Sequence, residues 1–260
     1  MLIGLVIVIP PTAVLASPSG LSPGVLGLLA AAGATNVVGL LVEYVAFRRG
    51  KVGLVTAIAS TEGMVAAVIS AVAGAQLSLT TGLLLGLVTL GVAVAAASPD
   101  ADARARKERP ADGTADGASP RRRRIPWGVL AVSTALLFGV SLYTTGRAGE
   151  QVSVLWTVVP ARLFGSGLVA APLAARRRLR LTRRALPLVA AAGAAEVLGV
   201  LSYAIGARHN LPVAAVLSAQ FAALTAVAAY FIHGQRLSRT QVAGLAAVVA
   251  GVSLLAAFSP

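Results

Sequence analysis

The chain of 260 residues contains no cysteine. This absence excludes a disulfide framework and metal sites built from thiolates, although it leaves the cellular compartment open. Charged side chains are also scarce, at 12% of the residues, whereas 57% are hydrophobic. A soluble globular domain has about 25% charged residues. The composition therefore excludes an ordinary soluble domain and indicates a membrane protein.

Catalytic motifs are missing as well. The serine, histidine and acidic residues form no triad pattern, and neither a metal-binding motif nor a glycine-rich phosphate loop is present. The sequence thus predicts no enzymatic activity, no cofactor and no metal ion. The net charge of +13 does not indicate nucleic-acid binding, because the basic residues lie in short runs between apolar segments.

The sequence contains an internal repeat with an offset of 160 residues. Residues 26–41 align with residues 186–201, and ten of the sixteen aligned residues are identical. The same offset relates Gly91 to Gly251. A long repeat of apolar residues is typical of membrane transporters built from two related halves.

Apolar runs predict the helices. A helix that spans a bilayer needs about 20 apolar residues. The first run resembles a signal peptide in length, but it lacks a basic segment at its start and it matches the sixth run in the repeat, so we expect a retained helix. Nine runs predict nine transmembrane helices, at residues 1–17, 22–47, 52–74, 80–98, 125–145, 152–175, 186–207, 211–233 and 240–258.

Residues 99–124 separate the two halves. They mix charged residues with glycine, proline and alanine and have no apolar periodicity, which predicts a disordered, basic, cytoplasmic linker. The predicted domains are a first transmembrane repeat of four helices (1–98), this linker, and a second repeat of five helices (125–260).

Basic residues predict the topology. Loops after even-numbered helices hold nineteen Lys and Arg residues, whereas the other loops hold only Arg147 and Arg208. By the positive-inside rule the even loops face the cytoplasm, and the carboxyl terminus lies outside. An odd number of helices separates the repeat copies, so the halves cross the bilayer in opposite directions. The predicted fold is an all-α integral membrane protein with two inverted-topology helical repeats.

The second half also has a recognisable pattern. It contains, in order, a helix with tyrosine and alanine, a short turn, a helix with serine and a final Gly-x-Arg-Leu-Ser turn. This pattern resembles the EamA branch of the drug/metabolite transporter superfamily. The resemblance covers nearly the whole chain and implies a multi-pass transporter of the bacterial cytoplasmic membrane. Gln235 and Ala75 replace the turn glutamate, and the first of the family's ten helices has no counterpart. The matching residues are Tyr203, Ala204, Ser218, Gly234, Arg236, Leu237 and Ser238.

Polar residues near the middle of predicted helices are candidate site residues. A charged side chain at the bilayer centre costs about 2.5–3.5 kcal/mol or more, so it needs a role. Asn36 and Glu196 occupy equivalent repeat positions, and Tyr203 shares a helical stripe with Glu196. We predict a central cavity that binds substrate or a coupling ion through Asn36, Glu62, Arg162, Glu196, Tyr203 and Gln220.

Two interpretations of Arg162 and Glu196 stay open at this level: an ion pair that only joins two helices, or part of a substrate site. Two functions stay open as well. The favoured one is a secondary transporter that exports a small organic metabolite by alternating access, with proton coupling through Glu62 as one option. The other is a non-transporting or degenerate membrane scaffold. The expected partners are a small-molecule substrate, the lipid bilayer and, as an option, a second copy of the chain.

Overall fold

The computed structural model describes residues 2–16, 20–50, 52–76, 78–97, 126–176, 186–220 and 239–258. These residues form α-helices and one π-helical segment, with no β-strand among them. The prediction of an all-helical chain is therefore confirmed for the part that the structure describes. The predicted linker at residues 99–124 lies outside the described residues, as does most of the basic loop at 176–184.

Ten α-helices follow one another along these described residues. The second begins with a capped first turn: Ser22 Oγ accepts a hydrogen bond from the backbone N–H of Val25 (3.3 Å), and Pro23 occupies the first helical position, where a missing N–H costs nothing. A π-helical segment, Ser166–Ala170, joins the seventh helix to the eighth. The helices are α1 (Leu2–Leu15), α2 (Pro23–Phe47), α3 (Val52–Ala59), α4 (Glu62–Val72), α5 (Leu79–Ala97), α6 (Trp127–Gly149), α7 (Val154–Gly165), α8 (Ala171–Ala175), α9 (Leu186–Ser218) and α10 (Arg239–Phe258).

Within the described residues, three helices are long and apolar enough to cross a membrane: α2, α6 and α9. This property rests on their length and composition. It supports the prediction of a membrane protein. The shorter helices α1, α4, α5, α7 and α10 also contain apolar stretches of 10–17 residues.

The third predicted apolar run is interrupted in the structure. The chain leaves helical geometry at Ser60 and Thr61, and their hydroxyls donate hydrogen bonds to the backbone carbonyls of Thr56 and Ile58. The same two carbonyls also accept the backbone N–H groups of Ser60 and Thr61, so the hydroxyls add a second hydrogen bond at each carbonyl and satisfy their own polarity locally at the end of α3. The next helix, α4, then begins at Glu62.

A kink also joins two helices that the sequence separates. The predicted runs at 186–207 and 211–233 meet within α9, whose backbone is non-helical at Asn210 (φ −152°, ψ 95°). The Asn210 Oδ1 accepts a hydrogen bond from the backbone N–H of Val213 (3.2 Å), so this side chain caps the second segment of α9. Residues 221–233 of the eighth predicted run lie outside the described residues.

By packing, the chain divides into two compact units, each with segments from both sequence halves. Unit 1 comprises Met1–Leu41, Glu62–Leu77 and Ala135–Ala219, and unit 2 comprises Val42–Thr61, Ser78–Thr134 and Gln220–Pro260.

Unit 1 is held together by helix packing on α9 and by hydrogen bonds between helices. Gly63 of α4 lies against the backbone of α9, since a Cβ atom added there would lie 2.5 Å from the carbonyl oxygen of Ala215. Ser141 of α6 donates a hydrogen bond to the carbonyl of Ala32 in α2 (2.9 Å). Small residues at such interfaces allow close helix approach, as membrane helices require. The core between α4 and α9 contains Ala66, Tyr203, Ala207, Leu211 and Ala215.

In unit 2, α5 and α10 pack through two glycines that are equivalent in the repeat. A Cβ atom added to Gly91 would lie 2.8 Å from the carbonyl oxygen of Gly244 and 3.0 Å from the Val248 side chain. A Cβ atom added to Gly251 would collide with the side chain of Val88. With an offset of 160 residues, Val88 corresponds to Val248, so the two contacts are reciprocal.

Candidate functional site

The central feature of unit 1 is an ion pair between a buried arginine of α7 and an exposed glutamate of α9. The Arg162 Nη1 atom lies 2.7 Å from Glu196 Oε2. Among the described residues with less than 2% exposure, Arg162 has the largest side chain. Burial of a guanidinium is expensive unless a carboxylate compensates its charge. The structure therefore brings together two of the residues that the sequence predicted as a pair.

A glycine of α1 provides space for this guanidinium. A Cβ atom added to Gly4 would lie 3.0 Å from Arg162 Nε and 3.3 Å from Arg162 Cζ. A larger side chain at this position would displace the arginine. Close to the ion pair, one valine from each of the three helices packs in a buried cluster: Val8, Val158 and Val197. The pair is thus fixed where α1, α7 and α9 meet.

The two partners differ in accessibility. The Arg162 side chain is 1% exposed, whereas the Glu196 side chain is 44% exposed. The guanidinium is therefore shielded, while its carboxylate partner is open on one side. An exposed carboxylate held by a buried cation can contact a ligand on its open side while it still compensates the charge of the arginine.

Helix α7 is irregular on both sides of Arg162. Pro160 lies two residues before it and removes a backbone donor from the helix interior. The π-helical segment Ser166–Ala170 begins four residues after it. Such segments are rare and recur at functional sites of helical proteins.

Asn36 lies on α2, which packs directly on α7. One turn before it, Gly33 meets α7 so closely that an added Cβ atom would lie 2.8 Å from the carbonyl carbon of Pro160. Asn36 Oδ1 is buried and accepts no hydrogen bond from the described residues. The repeat-equivalent residues Asn36 and Glu196 thus both lie on helices that contact α7.

The remaining predicted site residues have different surroundings. Glu62 is the first residue of α4, directly after the break, and its side chain is half-buried. The Tyr203 hydroxyl donates to the carbonyl of Leu142 (2.6 Å), and the residue is 6% exposed, so it joins α9 to α6. Gln220 follows the end of α9 by two residues and belongs to unit 2.

Sequence reasoning did not assign Gly4 to the site. The only sequence signal was its match to Gly165 when the first apolar run is aligned with the sixth at an offset of 161 residues, and this match does not report the contact with Arg162. Metal chemistry has no ready ligand set here, because the described residues include no group of three or more His, Cys, Asp or Glu side chains suited to a metal ion.

In comparisons with known proteins, no protein-family model matches the chain, and no curated protein is similar to it.

Proposed function

We propose that this chain is a secondary transporter that exports a small organic metabolite by alternating access, as an EamA-type protein of the bacterial cytoplasmic membrane. The observation that supports the proposal is the ion pair between Arg162 and Glu196, with the arginine buried and the carboxylate accessible. Charged side chains within apolar helices are rare because they are costly, and in transporters they mark substrate and ion pathways.

The reciprocal contacts of α5 and α10 support an inverted repeat of four plus five helices. Gly91 contacts Val248, and the equivalent Gly251 contacts Val88. A two-fold rotation that exchanges the halves produces this exchange of partners. In inverted-repeat transporters the substrate site lies at the repeat interface, near the middle of the membrane.

Interrupted helices support alternating access. The described residues contain a break at Ser60 and Thr61, a π-helical segment at Ser166–Ala170 and a kink at Asn210. Transporters use discontinuous helices both to bind ions and to move one bundle against another. Two of these interruptions are close in sequence to the candidate residues Glu62 and Arg162, which fits a site that changes its access.

Within this mechanism we assign different roles to the two acids. Because Arg162 pairs with Glu196, this pair positions the substrate through the open carboxylate. Glu62 is the proposed coupling carboxylate, which binds a proton on one side of the membrane and releases it on the other. A proton gradient then drives export, since the sequence has no nucleotide-binding motif.

An export assay tests the function. Export-deficient bacterial cells are loaded with a panel of amino acids, nucleosides, sugar derivatives and drugs, and their intracellular content is measured by mass spectrometry. Wild type should lower the content of at least one compound. Arg162→Gln, present in the membrane at the same level, should not lower the content of that compound. Arg239→Gln, at the exposed start of α10, should lower it as wild type does. Wild type that inserts into the membrane and exports no compound would instead favour the scaffold function.

A further inference from the structure

Unit 1 contains a second feature that the transport mechanism does not use. A cavity of about 420 Å³ lies at the ends of α4 and α6 and beside the kink of α9, and we refer to it as the end cavity. Sites for small organic molecules have volumes of about 300–1,000 Å³. The charged residues in its wall are Arg147, Glu150 and Arg208, so two cations face one anion.

Arg208 is held in position by the backbone. Its Nε donates to the carbonyl of Gly149 (2.7 Å) and its Nη2 donates to the carbonyl of Val152 (2.6 Å). A guanidinium has five N–H donors. The described residues use two of them, which leaves three for a ligand. A cation that is already oriented binds an oxyanion with little loss of side-chain entropy.

Arg147 and Glu150 form the other charged part of the wall. The Arg147 Nη1 atom lies 2.6 Å from Glu150 Oε2, and the side chains are 48% and 34% exposed. Exposed pairs of this kind contribute about 0–1 kcal/mol to stability, so stability alone does not explain the pair. A ligand carboxylate near Arg147 can share the guanidinium with Glu150.

The rest of the wall is ordered and partly apolar. Gly74 (φ +100°) follows the end of α4 in a Schellman motif. Its N–H donates to the backbone carbonyl of Ala71, and the N–H of Ala75 donates to the backbone carbonyl of Ser70. The side chains of Tyr143, Leu211 and Pro212 supply apolar surface.

We propose that the end cavity binds a small organic acid, with its carboxylate on Arg208 and Arg147 and its apolar part against Tyr143 and Leu211. The two arginines exceed the single glutamate in charge, which selects an anion over a cation. This site is separate from the Arg162–Glu196 pair, and its ligand binding does not require that the chain transports anything. A lipid phosphate could also supply an oxyanion at this position, and the experiment distinguishes a bound lipid from a bound organic acid.

The test measures equilibrium binding of benzoate to the purified protein in nanodiscs of phosphatidylcholine by calorimetry, with empty nanodiscs as the blank. Benzoate should bind and the uncharged benzamide should not. Ala73→Phe, exposed directly after the end of α4, should fill the cavity and abolish binding, whereas Ala71→Phe, exposed in the last turn of α4 but outside the wall, should leave binding intact.

Charge variants give effects of opposite sign. Arg147→Gln should weaken benzoate binding by about fivefold and Glu150→Gln should tighten it by a similar factor, as expected for one partly exposed charge. A purely structural role of the pair would weaken binding in both variants.

Three results would overturn the proposal: no benzoate binding by wild type, equal binding of benzamide, or unchanged benzoate binding in Ala73→Phe. Loss of benzoate binding in nanodiscs that contain phosphatidylglycerol also overturns it, because the phosphate of an anionic lipid headgroup, uncompensated by a choline cation, then occupies the cavity. Benzoate binding together with failed export would reject only the transport function.

Discussion

Arg162 Nη1 and Glu196 Oε2 lie 2.7 Å apart, yet the arginine side chain is almost completely buried and the glutamate side chain is nearly half exposed. Such asymmetry differs from a pair in which packing encloses both charges. The arginine packs against Gly4 of α1, whereas the carboxylate has an open side. The buried cation therefore holds in place a carboxylate that packing leaves open on one side.

Replacement of this arginine should destabilise the protein. Arg162→Ala removes a hydrogen bond between charged groups and leaves a cavity among α1, α7 and α9, so we expect a loss of about 2–4 kcal/mol in the free energy of unfolding. SDS-induced unfolding in mild detergent measures this loss. Arg147→Ala is the matched control: its ion pair has a similar length but is exposed, and its loss should cost at most about 1 kcal/mol. Equal losses in the two variants would contradict the burial argument.

Gly4 should tolerate no side chain of appreciable size. Gly4→Leu would place atoms against Arg162 Nε and Cδ and force the guanidinium away from Glu196. Overpacking of this kind costs about 1–3 kcal/mol in the free energy of unfolding, and we expect export to fall as well. Gly27→Leu is the control, because an added Cβ atom there meets no described atom within 4 Å. Wild-type stability and export in Gly4→Leu would exclude α1 from the site.

The contrast between Arg162 and Gly4 shows what the sequence predicts about this site. Charged residues within apolar runs are rare, so Arg162 and Glu196 stand out, and the helix spacing places them at similar depth. Gly4 is one of 27 glycines, and only the tertiary contact distinguishes it. The repeat alignment relates equivalent residues but does not report which helices touch.

The all-helical class was predicted correctly for the described residues, because apolar composition decides it. The break at Ser60 and Thr61 was missed because serine and threonine are compatible with an apolar run, and their role as hydroxyl donors to the preceding turn depends on local geometry. The kink at Asn210 was predicted as a loop between two helices. There the side-chain cap by Asn210 and the position of Pro212 allow one helix to follow the other directly.

Glu62 should control the pH dependence of export. Glu62→Gln removes the only proton that this side chain can exchange, so export should become independent of pH between about 5.5 and 8 while the protein remains folded. Glu62→Asp keeps a carboxyl group and should retain a pH response, although its optimum can move. Export in everted vesicles under an imposed pH gradient provides the measurement. A wild-type pH profile in Glu62→Gln would remove the coupling role and leave the substrate role of the Arg162–Glu196 pair in place.

Topology can be tested with single cysteines because the wild type has none. Gln151→Cys, exposed in the loop between α6 and α7, should react with an impermeant thiol reagent in intact cells. Arg49→Cys, exposed after α2, and a cysteine within residues 110–118 should react only after lysis. These outcomes follow from the excess of basic residues in the even loops. Labelling of Arg49→Cys in intact cells, with Gln151→Cys protected, would reverse the orientation.

The reciprocal glycines of α5 and α10 should both be sensitive to alanine, but to different degrees. At Gly91 the added methyl group meets the backbone carbonyl of Gly244, which cannot move without a shift of the whole helix. At Gly251 it meets the side chain of Val88, which can change its rotamer. We therefore expect a loss of about 1–3 kcal/mol in the free energy of unfolding for each variant, with the larger loss for Gly91→Ala.

Gly82→Ala in the same α5 helix is the control for this pair, because its added methyl group meets no described atom within 4 Å. It should be neutral or slightly stabilising, since alanine favours the helix over glycine. The double variant of Gly91 and Gly251 tests whether the two contacts are coupled. Both methyl groups widen the same helix contact, so once one has separated α5 from α10 the second should cost less, and the combined loss should be smaller than the sum of the single losses. Strictly additive losses would mean that the two glycines act at energetically independent contacts and would contradict a single shared interface between α5 and α10.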